Sequence, residues 1–270
     1  MPMPPEAPID AVEWKEPAPD GGSQAQIFRL ADGRTALVKF AENNQGPRVL
    51  FNEFVSCRLA EKLGLPINQS VLVRVEATML TRCPPTFRAG VHCGLIRFPN
   101  AAKTDPSSDL FKRTKNAAEL HSVLIFEQLI ARGDGRQLLV YPATDPDPSF
   151  AAYDYGYAFG GSPVWAEAVV RSLQPAPMLP TADALGAAYA DGEPQKGIID
   201  RLRGLTRADV EAVIAALDLP RWGVSPAEAE AIAQAIPQRA AALTKAYDDQ
   251  YPKKLEPKPA EEAGEARGVA

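Results

Sequence analysis

With 270 residues, 46% of them hydrophobic, the chain is long enough to bury a substantial core and too short for more than one large or two small lobes. A formal net charge of −5 argues against a protein that coats phosphate backbones, which requires clustered Lys and Arg, so no nucleic-acid partner is expected. The three cysteines, Cys57, Cys83 and Cys93, have no CxxC spacing, and with only His92 and His121 beside them no structural zinc site is readable. Their odd number suits a reducing compartment, and neither a signal peptide nor an apolar run of about 18 residues is present, so a cytoplasmic protein without membrane association is expected.

Residues 1–18, rich in Pro, Ala and Glu, are predicted to be a disordered tail. Gln24 to Leu30 and Thr35 to Phe40 are short β-prone runs joined by the turn Ala31-Asp32-Gly33-Arg34, which predicts an antiparallel hairpin. From Arg48 to Leu63 the apolar residues Val49, Leu50, Phe54, Val55, Leu59 and Leu63 recur at helical spacing, and Gly64 stands where a C-terminal cap belongs. Ser70 to Ala77 and Gly90 to Phe98 read as two further strands, which makes 19–100 a β-rich first lobe.

After a polar stretch, Ala101 to Lys115, the pattern turns helical. Ala117 to Arg132 is predicted as one long apolar helix, followed by the short run Leu138 to Tyr141 and a turn over Pro142 to Ser149. Leu205 to Leu217 and Pro226 to Tyr247 are Ala-rich helices, with Thr206 and Ser225 as N-cap residues, and 251–270 is predicted to be a second disordered tail. A β-rich first lobe and a mainly helical second lobe, 101–250, make an α+β, bilobal architecture.

Several residues in this frame carry chemistry. Gly21 and Gly22, with Ser23 and Gln24, precede the hairpin, where a glycine turn lets backbone N–H groups approach phosphate oxygens; alone, such a pair is also an ordinary turn. Lys39 lies in the apolar strand Ala36-Leu37-Val38-Lys39-Phe40, a costly position for an ammonium unless it is paired, and Glu53 on the following helix is its natural partner. Asp134, in Arg132-Gly133-Asp134-Gly135-Arg136, sits where a phosphotransfer enzyme places the acid that orients an acceptor hydroxyl, or else merely tips a turn. Asp154 follows a short apolar strand and precedes Gly156, a position from which a carboxylate holds Mg²⁺ against phosphate oxygens. His92 and His121 have no evident partner and read as structural, and Trp165 and Trp222 read as packing residues.

Four stretches, GGSQAQIFRLADGRTALVKF, NNQGPRVLFNEFVSCRLAEKLGLPIN, GDGRQLLVY and YDYGYAFGG, in this order, resemble the bacterial HipA-like kinase family. The resemblance implies a protein-kinase-like fold with a small β-rich N-lobe and a mainly helical C-lobe, ATP and Mg²⁺ as cofactors, and transfer of the γ-phosphate to a hydroxyl of a protein Ser or Thr or of a small molecule. By that resemblance Gly21, Gly22, Ser23 and Gln24 cover the phosphates, Lys39 grips them and pairs with Glu53, Asp134 orients the acceptor, Asp154 binds Mg²⁺, and Ile96, Arg97 and Phe98 form the hinge beside the adenine. Gln137 stands near the place of an asparagine that wider relatives use as a second metal ligand, at a shorter spacing from the catalytic acid, and is assigned to the catalytic loop and the metal. The altered loop also supports an alternative: a nucleotide-binding pseudokinase acting as a regulatory or partner-binding module.

Overall fold

The computed structural model describes residues 7–19, 22–161, 165–173 and 192–250. Five strands, β1 (Ile9–Pro17), β2 (Gln26–Leu30), β3 (Thr35–Lys39), β4 (Ser70–Val75) and β5 (Gly90–Ile96), close into a barrel in the order β1-β2-β3-β5-β4. β2 and β3 form the expected hairpin, with Gln26 opposite Val38 and Arg29 opposite Thr35. Alternation sends Phe28, Leu30, Ala36, Val38, Val71, Val73 and Val75 into the barrel, where Phe40 and Phe87 stack at 4.2 Å. At Gly94 a Cβ would lie 2.5 Å from Val73 Cγ2, so the barrel interior closes only around a glycine.

The segment 9–17, expected as part of a disordered tail, is instead a strand that pairs antiparallel with β2 and parallel with β4. Ala11 is buried and Trp14 half-buried, its indole donating to Gln26 Oε1 at 3.0 Å. The Pro and Glu content that suggested disorder belongs to exposed positions of this strand, where side chains face water at no cost in core packing. The expected tail 251–270 lies outside the described residues.

Helix α1 (Arg48–Lys62) crosses the outside of the barrel and faces the helical lobe. Its Leu50, Phe51, Phe54, Val55 and Leu59 join one continuous core with residues of α3 (Leu120–Leu129), α6 (Arg207–Ile214) and α7 (Pro226–Gln250); α2 (Asp109–Lys112), α4 (Glu167–Ser172) and α5 (Gly192–Arg203) are further helices, and Ala158–Gly161 forms a short kinked helical turn. The long helix expected from 117 to 132 begins as a 3₁₀ turn, Ala117–Glu119, and stops at Leu129, because Ala131 turns left-handed (φ 48°) and releases the chain into the loop that carries Asp134. A three-stranded sheet, β6 (Ala102–Thr104), β7 (Gln137–Tyr141) and β8 (Ser149–Tyr153), lies between barrel and helices, and β7 and β8 are the hairpin around the predicted turn. Thr206 caps α6 through a reciprocal capping box with Asp209. Among the described residues no helix is long and apolar enough to cross a membrane.

His92 is fully buried beside the Phe40 ring, its Nε2 3.0 Å from the Arg88 carbonyl, with Arg221 at 3.3 Å and Glu42 beyond. Burial and the Arg221 guanidinium push its pKa down to about 3 from 6.5. Between those values the unfolded chain holds a proton that the folded chain does not, so this contribution to stability is present above pH 6.5 and lost as pH falls toward 3. His92→Gln should flatten the stability profile from urea unfolding in that window by up to about 1.4 kcal/mol per pH unit. A profile that the substitution does not change would assign the acid sensitivity to another group.

Candidate active site

Lys39 is the last residue of β3, and the alternation that buries Val38 in the barrel turns Leu37 and Lys39 outward over the gap between the lobes. Its ammonium donates to Glu53 Oε2 at 2.6 Å and to Asp154 Oδ1 at 2.8 Å. Glu53, on α1, is fully buried, and its other oxygen accepts the Tyr155 backbone N–H at 2.9 Å. Asp154 follows β8 in the left-handed region (φ 62°), a conformation that a short polar side chain tolerates, and its Oδ2 accepts from Gln137 Nε2 at 3.0 Å.

Burial opposes the charge on Lys39, but the two carboxylates outweigh it and hold the pKa above the ordinary lysine value. Burial likewise works against Asp154, yet Lys39, Arg132 and the Gln137 amide keep it below the ordinary aspartate range. For Glu53, wholly removed from water, burial prevails over Lys39 and raises it. The cluster therefore presents an ammonium and an ionised aspartate to the space beside it.

That space is a cleft of about 670 Å³ lined by Gly22, Ser23, Lys39, Arg97, Phe98, Asp134, Gln137 and Asp154, so eight of the residues singled out in the sequence share one cavity. Others do not. Glu53 does not line the cleft and acts on it through Lys39 and through the Tyr155 backbone N–H next to Asp154. The Ile96 side chain belongs to the barrel core, and its backbone N–H is held by the Gln69 carbonyl. Gln24 is also off the cleft; its backbone is left-handed (φ 51°) and its carbonyl accepts from Gln26 Nε2. Gly21 lies outside the described residues. Gln137, expected at the metal, directs its amide N–H onto Asp154, so of this pair the carboxylate is the group whose oxygens could hold a cation.

Three contributors were missed in the sequence. Arg132, nearly fully buried, donates to Asp134 Oδ1 at 2.7 Å, to Glu127 at 2.9 Å and to the Gly135 carbonyl at 2.8 Å, so it braces the whole loop. The two arginines flanking Gly133-Asp134-Gly135 were the available signal. Asn52 donates to the Gly156 carbonyl at 2.8 Å and accepts the Trp165 indole N–H at 2.8 Å, and Arg48, one turn earlier, packs over Trp165 at 4.7 Å while donating to Glu228 at 2.6 Å and to the Gly223 carbonyl at 2.8 Å. Together these tie α1, and with it Glu53, to the helical lobe. Among the described residues no group of three His, Cys, Asp or Glu side chains is arranged to hold a metal, so a cation here would need oxygens from a ligand, as Mg²⁺ accepts.

Replacing Lys39 with Met leaves Glu53 buried without its counter-charge and should cost about 3 kcal/mol in urea unfolding, most of it regained in the Lys39→Met/Glu53→Leu double variant. A double variant as unstable as the single one would show that the Lys39 ammonium stabilises the fold through Asp154 instead.

No protein-family model matches the chain, and no curated protein matches it in sequence. Solved structures do. The crystal structure of the Helicobacter pylori proinflammatory kinase CtkA is similar with a TM-score of 0.54 at 14% identity, over 87% of this chain and 96% of that one. The structure of hydra Fam20 with sugar is similar with a TM-score of 0.51 at 10% identity, over 90% of this chain and 87% of the other. Identities this low speak to the fold: the chain has a protein-kinase-like α+β fold, a β-rich first lobe and a helical second lobe, with Lys39, Asp134 and Asp154 in the cleft between them.

Proposed function

We propose that the chain is an ATP-dependent phosphotransferase of the HipA-like kind, which passes the γ-phosphate of Mg-ATP to a hydroxyl on a protein Ser or Thr or on a small molecule. The observation that carries this reading is the Lys39 ammonium held between Glu53 and Asp154 in the interlobe cleft. A lysine so fixed presents its charge to phosphate oxygens without first having to be ordered, and Asp154 is the carboxylate that would hold magnesium beside it. Bound magnesium supplies neutralisation of the phosphate charge. Gly22 and Ser23 would cover the phosphates, and Arg97 and Phe98 would flank the base. With Arg132 on Oδ1, Asp134 would accept the acceptor hydroxyl's proton on Oδ2.

Two observations favour the second reading, a nucleotide-binding pseudokinase. The Asp134 carboxylate is engaged by Arg132 at 2.7 Å, and Gln137 turns its N–H, not its oxygen, to Asp154.

Nucleotide binding is tested by thermal unfolding. With ATP about 100-fold above its Kd, a magnesium-dependent rise in Tm of about 5 °C or more is expected, and Asp154→Asn should abolish its dependence on magnesium. No shift at millimolar nucleotide would remove the nucleotide site altogether. Separately, Asp134→Asn should lower phosphate transfer about 100-fold or more while leaving nucleotide affinity unchanged; binding without any transfer in the wild-type chain would establish the pseudokinase instead.

A further inference from the structure

Between β3 and α1 the chain runs through Asn43-Asn44-Gln45-Gly46, a loop to which no role has been given so far. It is built to be rigid. The buried Asn43 side chain donates to the Gly46 carbonyl at 2.9 Å and accepts the Gln45 backbone N–H at 2.7 Å, and Gly46 takes a left-handed conformation (φ 91°) that closes the turn. This turn directs the Gln45 side chain into the same cleft that holds Lys39 and Asp154. Its amide comes against the glycine turn from the other side: a Cβ on Gly22 would lie 3.0 Å from Gln45 Nε2. A side chain at position 22 would therefore press the Gln45 amide aside. The amide itself has no hydrogen-bond partner among the described residues, although it is half-buried. A rigid loop that delivers an unpaired amide into a cavity has spent order without using the donor it positions.

Strand register places this amide at one end of the cleft. Arg97 N–H bonds the Thr35 carbonyl, so Arg97 and Phe98 lie at the Thr35 end of β3. Gln26 pairs with Val38, so the turn that precedes β2 lies at the Lys39 end, four residues and about 13 Å away along the strand. Gln45 leaves the chain beyond that same end. A nucleotide with its base at Arg97 and Phe98 would run its phosphates past Lys39 and finish them between Gly22 and Gln45.

We propose that Gln45 is a binding residue for the terminal phosphate of a nucleoside triphosphate: its side-chain N–H donates to a γ-phosphate oxygen and so distinguishes ATP from ADP. The assignment rests on the nucleotide reading above. An amide suits this position because it supplies a donor without a cation that would retain the charged product.

Isothermal titration with ATP and with ADP, each with Mg²⁺, tests it on the wild-type chain and on Gln45→Ala and Gln45→Glu. Gln45→Ala should weaken ATP about tenfold and leave ADP within about twofold, and Gln45→Glu, which sets a carboxylate against the phosphate, should weaken ATP further. Gly22→Ala should also weaken ATP in the wild-type background and less so in Gln45→Ala, where the amide that it displaces is already gone. Equal loss of ATP and ADP would make Gln45 a shaper of the glycine turn and overturn the proposal, as would unchanged affinity for both. If the wild-type chain binds neither nucleotide, the nucleotide reading itself fails; if it binds both and Gln45→Ala keeps the wild-type preference, only the Gln45 assignment falls.

Discussion

The structure depends on one buried ammonium. Lys39 leaves water almost completely at the end of an apolar strand, which is tolerable only because Glu53 and Asp154 both bond it. Its partners come from α1 and from the segment after β8, the second of them 115 residues away in sequence. One interaction therefore sets the angle of α1 over the barrel and the approach of the β7–β8 hairpin to both. The backbone N–H of Tyr155 completes the arrangement on Glu53, so the residues either side of the Asp154–Tyr155 peptide are held by opposite ends of the same ion pair.

Helix α1 belongs structurally to both lobes. Its apolar face is part of the core of the helical lobe, whereas the barrel has a separate interior of its own. At its N-terminal end Arg48 and Asn52 share Trp165 and reach Glu228, Gly223 and Gly156, all in the second lobe. A helix bound in this way resists moving with the barrel alone, because a swing would expose apolar surface and strand several buried donors together. The Lys39–Glu53 pair is thus maintained by packing in the lobe that does not contain Lys39.

Around Asp134 a different compromise operates. Arg132 and Arg136 both reach Glu127, and Arg132 also reaches Asp134 and stacks over the Tyr155 ring at 4.9 Å. This network fixes a loop that contains two glycines and would otherwise be mobile, and it holds the acid at the cleft. The same guanidinium that gives Asp134 its position also occupies one of its two carboxylate oxygens. Positional order and an open carboxylate are opposed here, and the loop has taken order.

What was legible in the sequence is local or nearly so. The β2–β3 hairpin follows from a turn signal between two alternating runs, α1 from helical spacing and a glycine stop, and the Lys39–Glu53 pair from the cost of burying a lysine next to a helix that carries one well-placed acid. β1 escaped because its exposed positions carry Pro and Glu, and composition averaged over a short segment hides the three side chains, Ile9, Ala11 and Trp14, that pack. The roles of Asn52, Trp165 and Arg48 were decided only in three dimensions, since their partners lie more than a hundred residues away and no spacing rule spans that distance. Gln45 and Gly22 are joined in the same way, across the mouth of a cleft that exists only once the barrel has closed. The sequence by itself determined the β2–β3 hairpin, helix α1 and which charge had to find a partner, because those follow from local geometry and the cost of burial. Tertiary structure alone decided which polar groups share the cleft, because that depends on how the two lobes meet.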